Sequence, residues 1–243
     1  MEITQLSVIT EDDFPTDANM WAEECVEEFY EKTGHMMNSE ERDLLLSALK
    51  YRIKNRNKDY EGSVFDKVMG LYKISVGFED GEGGMEKTFY IELSNDPVHV
   101  LSRTTGRQGY SCEQITQHYW KGPFQDLGFR NATAYFYGEE MNWLGRLNTR
   151  WCLNDEGKID IGIDPNIYPV MGGWVPGNLI KGLGGEERRD DRLLKNCLWT
   201  LLGRKGFLYY NEAYTPYIYV GHSDTTISGG VQLPFNGLKH YGY

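Results

Sequence analysis

Between Asn95 and Pro169 the chain gathers residues whose types suit chemistry better than packing. Asp96-Pro97 is followed by Ser102-Arg103-Thr104-Thr105-Gly106-Arg107, then by Gly109-Tyr110-Ser111-Cys112, and later by Arg146 and Arg150. An apolar core has no need for that density of Gly, Thr, Ser and Arg, so a pocket is expected here. Arg103, Arg107, Arg146 and Arg150 are candidates for an anion cradle, because a guanidinium fork matches phosphate or carboxylate bidentately. Thr104, Thr105 and Gly106 would add hydroxyl and backbone donors, and Ser111 counts among the ligand-binding candidates. Arg146 and Arg150 are four residues apart, so on a strand both side chains point to one face. The competing reading is a set of surface ion pairs with the chain's many carboxylates.

Cys112 is the candidate nucleophile. The residues after it, Glu113-Gln114-Ile115, read as a helix start, and a thiolate there is stabilised by backbone N–H groups and the helix dipole. A thiol nucleophile needs a base. His118 lies six residues on, and His222 with Asp224 lies in Gly221-His222-Ser223-Asp224-Thr225. The order Cys112, His222, Asp224 is that of papain-like thiol hydrolases. The local residues depart from that pattern, in which Gly-Ser-Cys-Trp is expected. The competing reading is a buried cysteine with a packing role.

Other polar groups carry less. His99, His118, His222 and His240 show no ligand spacing. Asp155, Glu156, Asp160 and Asp164 lack the spacing of a calcium loop. Gly81-Glu82-Gly83-Gly84 is followed by no Gly-Lys-Ser or Gly-Lys-Thr, so it reads as a hairpin tip rather than a phosphate loop. No metal site and no cofactor is expected. Cys25, Cys112, Cys152 and Cys197 form no C-x-x-C pair, which leaves zinc-ribbon and iron–sulfur sites unsupported.

Composition bounds the function classes. A net charge of −11 and a pI near 5.0 give a field that repels phosphate backbones and anionic lipid, so general nucleic-acid binding is not expected. Four cysteines in 243 residues do not make a disulfide-dense secreted scaffold. Met1-Glu2-Ile3-Thr4 has neither a basic nor an apolar leader region, and no apolar run approaches the roughly 20 residues of a membrane span. Cytoplasmic residence without membrane association is the expectation.

The elements that must position these residues follow from periodicity. Thr16 or Asp17 caps a helix with an apolar stripe of Trp21, Cys25, Val26, Phe29 and Tyr30, ended by Gly34. Asn38 with Glu41 is a capping-box variant opening a second helix, with Leu45, Leu46, Leu49 and Ile53 as its stripe. The run from Lys50 to Lys58 is basic and complements that helix's C-terminal dipole. Residues 71–78 and 85–93 alternate on either side of Asp80-Gly81-Glu82-Gly83-Gly84 and predict an antiparallel hairpin. Asp96-Pro97 reads as a turn after it. Residues 132–137, 144–153 and 158–163 read as three more strands, and Pro165 and Pro169 end regular pairing. The Gly-rich residues 170–186 read as a long loop or lid. A late helix spans about Arg188 to Arg204, with Leu194, Cys197, Leu198, Leu201 and Leu202 on its buried side. Short strands follow at 207–210 and 217–220, then a loop-like tail from His222.

The segment Asp96-Pro97-x-x-x-Leu101-x-x-Thr104, with Ser111-Cys112 and then Arg146 and Arg150, resembles an uncharacterised group of phage and archaeal proteins. The likeness covers about Glu92 to Pro169. Where a tryptophan often precedes Ser-Cys in that group, this chain has Gly109-Tyr110. The resemblance implies a virus- or mobile-element-linked intracellular protein and marks the same residues as the site.

The expected fold is one α+β domain over 1–243. It comprises a helical region at 16–60, an antiparallel sheet at 64–169, and a covering helix with strands at 186–243. The expected function is binding of a small anionic, nucleotide-like ligand, or of a host protein, in an Arg/Thr/Cys pocket. The alternative is a Cys112-dependent thiol hydrolase or transferase, so the sequence leaves open whether the protein is an enzyme.

Overall fold

The computed structural model describes residues 1–55, 68–78, 85–105, 115, 120–129, 131–153, 159–163, 168–169, 189–205, 208–211, 217–220 and 238–241. A short strand, β1 (Glu2–Gln5), comes first, and the sequence pattern does not announce it. Helix α1 (Ala18–Thr33) starts where Asp17 accepts the Asn19 and Met20 amides at 2.9 Å, and stops at Gly34 with φ 72°. Helix α2 (Ser39–Asn55) opens on the expected capping box. Glu41 N–H donates to Asn38 Oδ1 at 3.0 Å, and Asn38 N–H donates to Glu41 Oε2 at 2.8 Å. Trp21, Cys25 and Phe29 face Leu45 and Leu49 in one buried cluster. Tyr30, expected in that stripe, is 50% exposed. The buried positions step by four along 21, 25, 29 and 33, and residue 30 sits about 100° round the helix from 29.

The strand pairing of the hairpin is as expected, and its turn, Asp80 to Gly84, lies outside the described residues. β2 (Gly70–Phe78) pairs antiparallel with β3 (Met85–Ser94), from Gly70 opposite Leu93 to Phe78 opposite Met85. Next comes β4 (Thr133–Tyr137), then β5 (Trp143–Leu153), β6 (Ile159–Ile163) and the two-residue β7 (Tyr168–Pro169). Late strands are β8 (Leu208–Asn211), β9 (Tyr217–Val220) and β10 (Leu238–Tyr241). The sheet order is β1-β2-β3-β4-β5-β6-β8, with β7 and β9 also on β5 and β10 on β9. Among the described pairs only β6 with β8 is parallel.

Three expectations are corrected. Tyr168 and Pro169 do pair, with Arg146 and Gly145, because at a strand end proline's missing N–H costs no ladder bond. The tail is not wholly loop-like, since β10 lies within it. Asp96-Pro97 is not a simple turn. Asp96 caps, and Pro97 begins, helix α3 (Pro97–Leu101), where proline's fixed φ suits the first position. A 3-10 turn, Ser102–Thr104, continues it, and helix α4 (Gly122–Phe129) follows.

The sheet is covered on both faces. Helix α5 (Arg189–Arg204) lays Leu194, Cys197, Leu198, Leu201 and Leu202 on the apolar face formed by Ile74, Phe89, Ile91, Leu93, Ala134, Phe136 and Leu147. On the opposite face sits the layer of α1 to α4, with its own cluster that includes Val98, Val100, Leu101, Phe124 and Leu127. β4 is buried at four of its five positions, so neither face of it meets bulk water. The face toward α3 is polar, carrying Glu92, Ser94, Thr133, Tyr135, Arg146 and Asn148 in register across β3, β4 and β5.

Arg52 lies in the basic run that the sequence assigns to the α2 dipole, and it is wholly buried. Its Nε and Nη2 donate to Glu11 Oε1 and Oε2 at 3.0 and 2.8 Å, and Nη1 donates to the Asn95 carbonyl at 2.7 Å. Phe14 and Trp21 cover the guanidinium at 4.8 and 5.1 Å. One side chain thereby joins the N-terminal segment, α2 and the β3–α3 corner. Replacing Arg52 by Met leaves the Glu11 carboxylate buried without its counter-ion. The expected loss is about 3–5 kcal/mol of unfolding free energy, measured by urea titration; a loss under about 1 kcal/mol, the range of an exposed ion pair, contradicts this role.

Candidate functional site

The site grows from the 3-10 turn after α3. Ser102, Arg103, Thr104 and Thr105 are all buried there. The Arg103 guanidinium reaches into the polar sheet face, where Nη1 donates to Thr133 Oγ1 at 3.0 Å and to Asn148 Oδ1 at 2.9 Å. Its Nη2 forms a short ion pair with Asp126 of α4. The other Asp126 oxygen accepts from Asn131 Nδ2 at 2.9 Å. From β5, Arg146 Nη1 donates to the same Asn148 oxygen at 2.9 Å. Two arginines flagged by the sequence thus arrive, from separate elements, at one acceptor. Both are buried, at 1% and 0% exposure, so they do not form surface ion pairs.

The expected hydroxyl donors behave differently. Thr104 Oγ1 donates to Leu101 O at 2.8 Å, and Thr105 Oγ1 donates to Ser102 O at 2.9 Å. Each hydroxyl has one proton, and here both protons are committed to the local backbone. The Ile115 amide donates to the Thr104 carbonyl at 2.8 Å, so residues 104 and 115 adjoin beside the Arg103 network. The intervening residues include Arg107, Ser111 and Cys112, which lie outside the described residues, as do His118, His222 and Asp224. The backbone of Arg150 is in β5, opposite Gly162. Cys25 and Cys197 are buried thiols. Burial pushes Cys25 far up and Cys197 to about 12, so neither supplies a thiolate at neutral pH.

Sequence reasoning passed over a second polar group on the same face. The His99 ring packs edge-on against Tyr135 with centroids 4.2 Å apart, and Tyr135 Oη donates to the His99 carbonyl at 2.8 Å. Glu92 Oε1 lies 3.6 Å from His99 Nδ1, beyond hydrogen-bond range. Tyr137 Oη donates to Glu92 Oε2 at 2.9 Å. Burial, then the Glu92 charge, raise the Tyr137 hydroxyl far above its ordinary value, so it remains a donor. The signal lay in β4 itself. Thr133-Ala134-Tyr135-Phe136-Tyr137 alternates hydroxyl-bearing with purely apolar residues, which predicts a strand whose second face is polar. No group of three or more His, Cys, Asp or Glu side chains suited to a metal occurs among the described residues. No helix among them is long and apolar enough to cross a membrane.

Burial lowers His99 below the ordinary imidazole value of 6.5. Glu92 and Asp96 oppose that shift, Lys32 adds to it, and the Thr133 backbone opposes it. The unfolded chain therefore takes its proton first as the pH falls. Stability is unaffected by this group above 6.5 and is lost as the pH drops from there toward the lower folded value. Urea unfolding at pH 7.5 and 5.5 should show a larger loss for the wild type than for His99→Gln. Equal losses would mean that His99 does not carry the effect.

No known protein family matches the chain, and no curated protein or solved structure is significantly similar to it.

Proposed function

We propose that the chain binds a small oxyanion-bearing ligand, of nucleotide size or smaller, between the sheet and its helical layer, with Arg146 and Arg103 as a fixed cationic floor. The observation that carries this reading is the convergence of the two guanidinium groups on the Asn148 side-chain oxygen. Taking a guanidinium out of water costs several kcal/mol even after relaxation, and polar partners must offset it. Arg103 is held by Asp126, Thr133 and Asn148. Arg146, held by the same Asn148 oxygen, is the arm we assign to the ligand. Thr104 and Ile115, the described residues that flank the segment carrying Arg107, Ser111 and Cys112, adjoin beside this floor. That proximity supports the segment as part of the site. The interior position of both arginines favours a small ligand over a host protein, whose surface would need exposed contacts. The thiol-hydrolase alternative depends on Cys112, His222 and Asp224, and no described geometry favours it.

Thermal unfolding with and without phosphate, sulfate and mononucleotides tests the reading. A ligand at a hundred times its Kd stabilises by about 2.7 kcal/mol. Arg146→Met should abolish that gain, while Lys121→Met, at an exposed pair with Glu40, should not. The reading fails if no anion raises the wild-type Tm and native mass spectrometry shows no co-purified ligand.

A further inference from the structure

His99 stands one helical turn before Arg103, so the two side chains leave the α3 segment on one side. Its ring rests on Tyr135, and Tyr135 is the cross-strand partner of Arg146 on β5 and of Glu92 on β3. The row Glu92, Tyr135, Arg146 therefore runs inward from a side chain 32% exposed to one wholly buried. His99 lies over the middle of that row, 12% exposed, so protons reach it while bulk water does not surround it. Among the described residues no group meets its Nε2 with hydrogen-bond geometry.

Among the described residues, Arg103 stands one helical turn on, and the following groups act on the charge of this imidazole. Glu92 approaches from β3, with its second oxygen held by Tyr137 of β4. Asp96 caps α3, accepting the His99 amide at 2.9 Å. Lys32 acts from α1, and the Thr133 backbone acts from β4 as a dipole favouring the protonated ring. Two carboxylates and one dipole favour the imidazolium, while burial and Lys32 disfavour it. One further negative charge nearby would tip such a balance.

We propose that His99 is a third cationic arm of the anion site, taking up one proton from solvent as an oxyanion binds beside Arg146, so that the ligand is held more tightly as the solution is acidified. The inference rests on the ligand reading above. An anion brought near an imidazole favours its charged form. Linkage then requires that protonation favour the anion by the same free energy. The ligand class that follows is an oxyanion whose own charge stays fixed across the acidic range, such as a sulfate ester, a phosphodiester or a carboxylate of low pKa.

Isothermal titration of the whole chain with inorganic sulfate at pH 5.5, 6.5 and 7.5 provides the test. Sulfate keeps its charge across this range, so any pH dependence belongs to the protein. The expected result is a Kd that falls toward about tenfold per pH unit at its steepest, the limit for one linked proton. Repeating the titration in buffers of different ionisation enthalpy should report uptake of up to one proton per sulfate. His99→Gln should flatten the pH dependence, and Arg146→Met should remove binding at every pH. Binding whose Kd does not change with pH, or whose pH dependence survives in His99→Gln, overturns the role of His99 and leaves the anion reading intact. Absence of sulfate binding at any pH overturns this inference, and failure of the whole anion panel overturns the ligand reading with it. If His99→Gln does not fold, the two-buffer measurement and NMR titration of the His99 ring in the wild type, with and without sulfate, decide the matter. A ring whose pKa sulfate leaves unmoved contradicts the proposal.

Discussion

Buried guanidinium groups with fixed acceptors decide how the helical layer meets the sheet. An apolar interface tolerates sliding, because any methyl group serves against any other. A buried arginine does not, since its donors must end on particular oxygens or the desolvation cost goes unopposed. Arg52 ends on both Glu11 oxygens and the Asn95 carbonyl. Arg103 ends on Asp126, Thr133 and Asn148. These two clamps hold the opposite ends of the segment from Asn95 to Thr104, which contains α3. The apolar contacts of Val98, Val100 and Leu101 supply burial, and the clamps supply register. On the other side of the sheet no buried arginine appears among the described residues; α5 lies there on an apolar face, and its C-terminal end is tied to the N-terminal segment by hydrogen bonds from Arg204 to the Met1 carbonyl and from Lys205 to Gln5 Oε1.

The elements legible in the sequence are those whose own residues carry the signal. Asp17, Gly34, Asn38 and Glu41 mark helix ends by hydrogen bonds within a few residues. The stripe at Leu194, Cys197, Leu198, Leu201 and Leu202 repeats over three turns of α5. The β2–β3 hairpin closes on itself, so alternation and a Gly-rich turn suffice. Elements whose existence depends on distant partners were not legible. β1 has four residues and owes its strand state to β2, some 70 positions away. β10 depends likewise on β9. α3 has five residues, too few for a periodic pattern to emerge, though Asp96 and Pro97 are an ordinary N-cap and first position.

The site divides along the same line. Arg103 and Arg146 stood out by residue type in an unusually polar stretch. Their partners did not, because Asp126, Thr133 and Asn148 meet Arg103 from 23, 30 and 45 positions away. Asn148 in particular looks like any mid-strand amide until two arginines are seen to share it. Arg52 was not legible as a buried residue because it stands in a run of four basic residues between 50 and 56, yet a helix turns successive members of that run, two positions apart, by about 200°. Lys50 and Lys54 face water, while Arg52 between them faces inward. The Thr104 and Thr105 hydroxyls misled in the opposite sense. Side chains of that kind prefer a carbonyl three or four residues back once the chain turns helical, and no composition argument anticipates that turn.

The contrast between surface and interior constrains how an anion could be held. The chain carries a net charge of −11, and the outer face of α1 alone exposes Glu23, Glu24, Glu27, Glu28 and Glu31. Such a field slows the approach of any anion and gives nothing to long-range capture. Affinity on the proposed reading must then arise at short range, where the lower local dielectric strengthens each charge-assisted hydrogen bond. Long-range terms weaken with salt, whereas interactions in a buried site are screened far less. Acidification, at His99, brings the interior toward positive charge. A protein of this acidity that binds an anion inside would therefore do so best below neutral pH, and would select its ligand by where oxygens fall against fixed donors rather than by total charge.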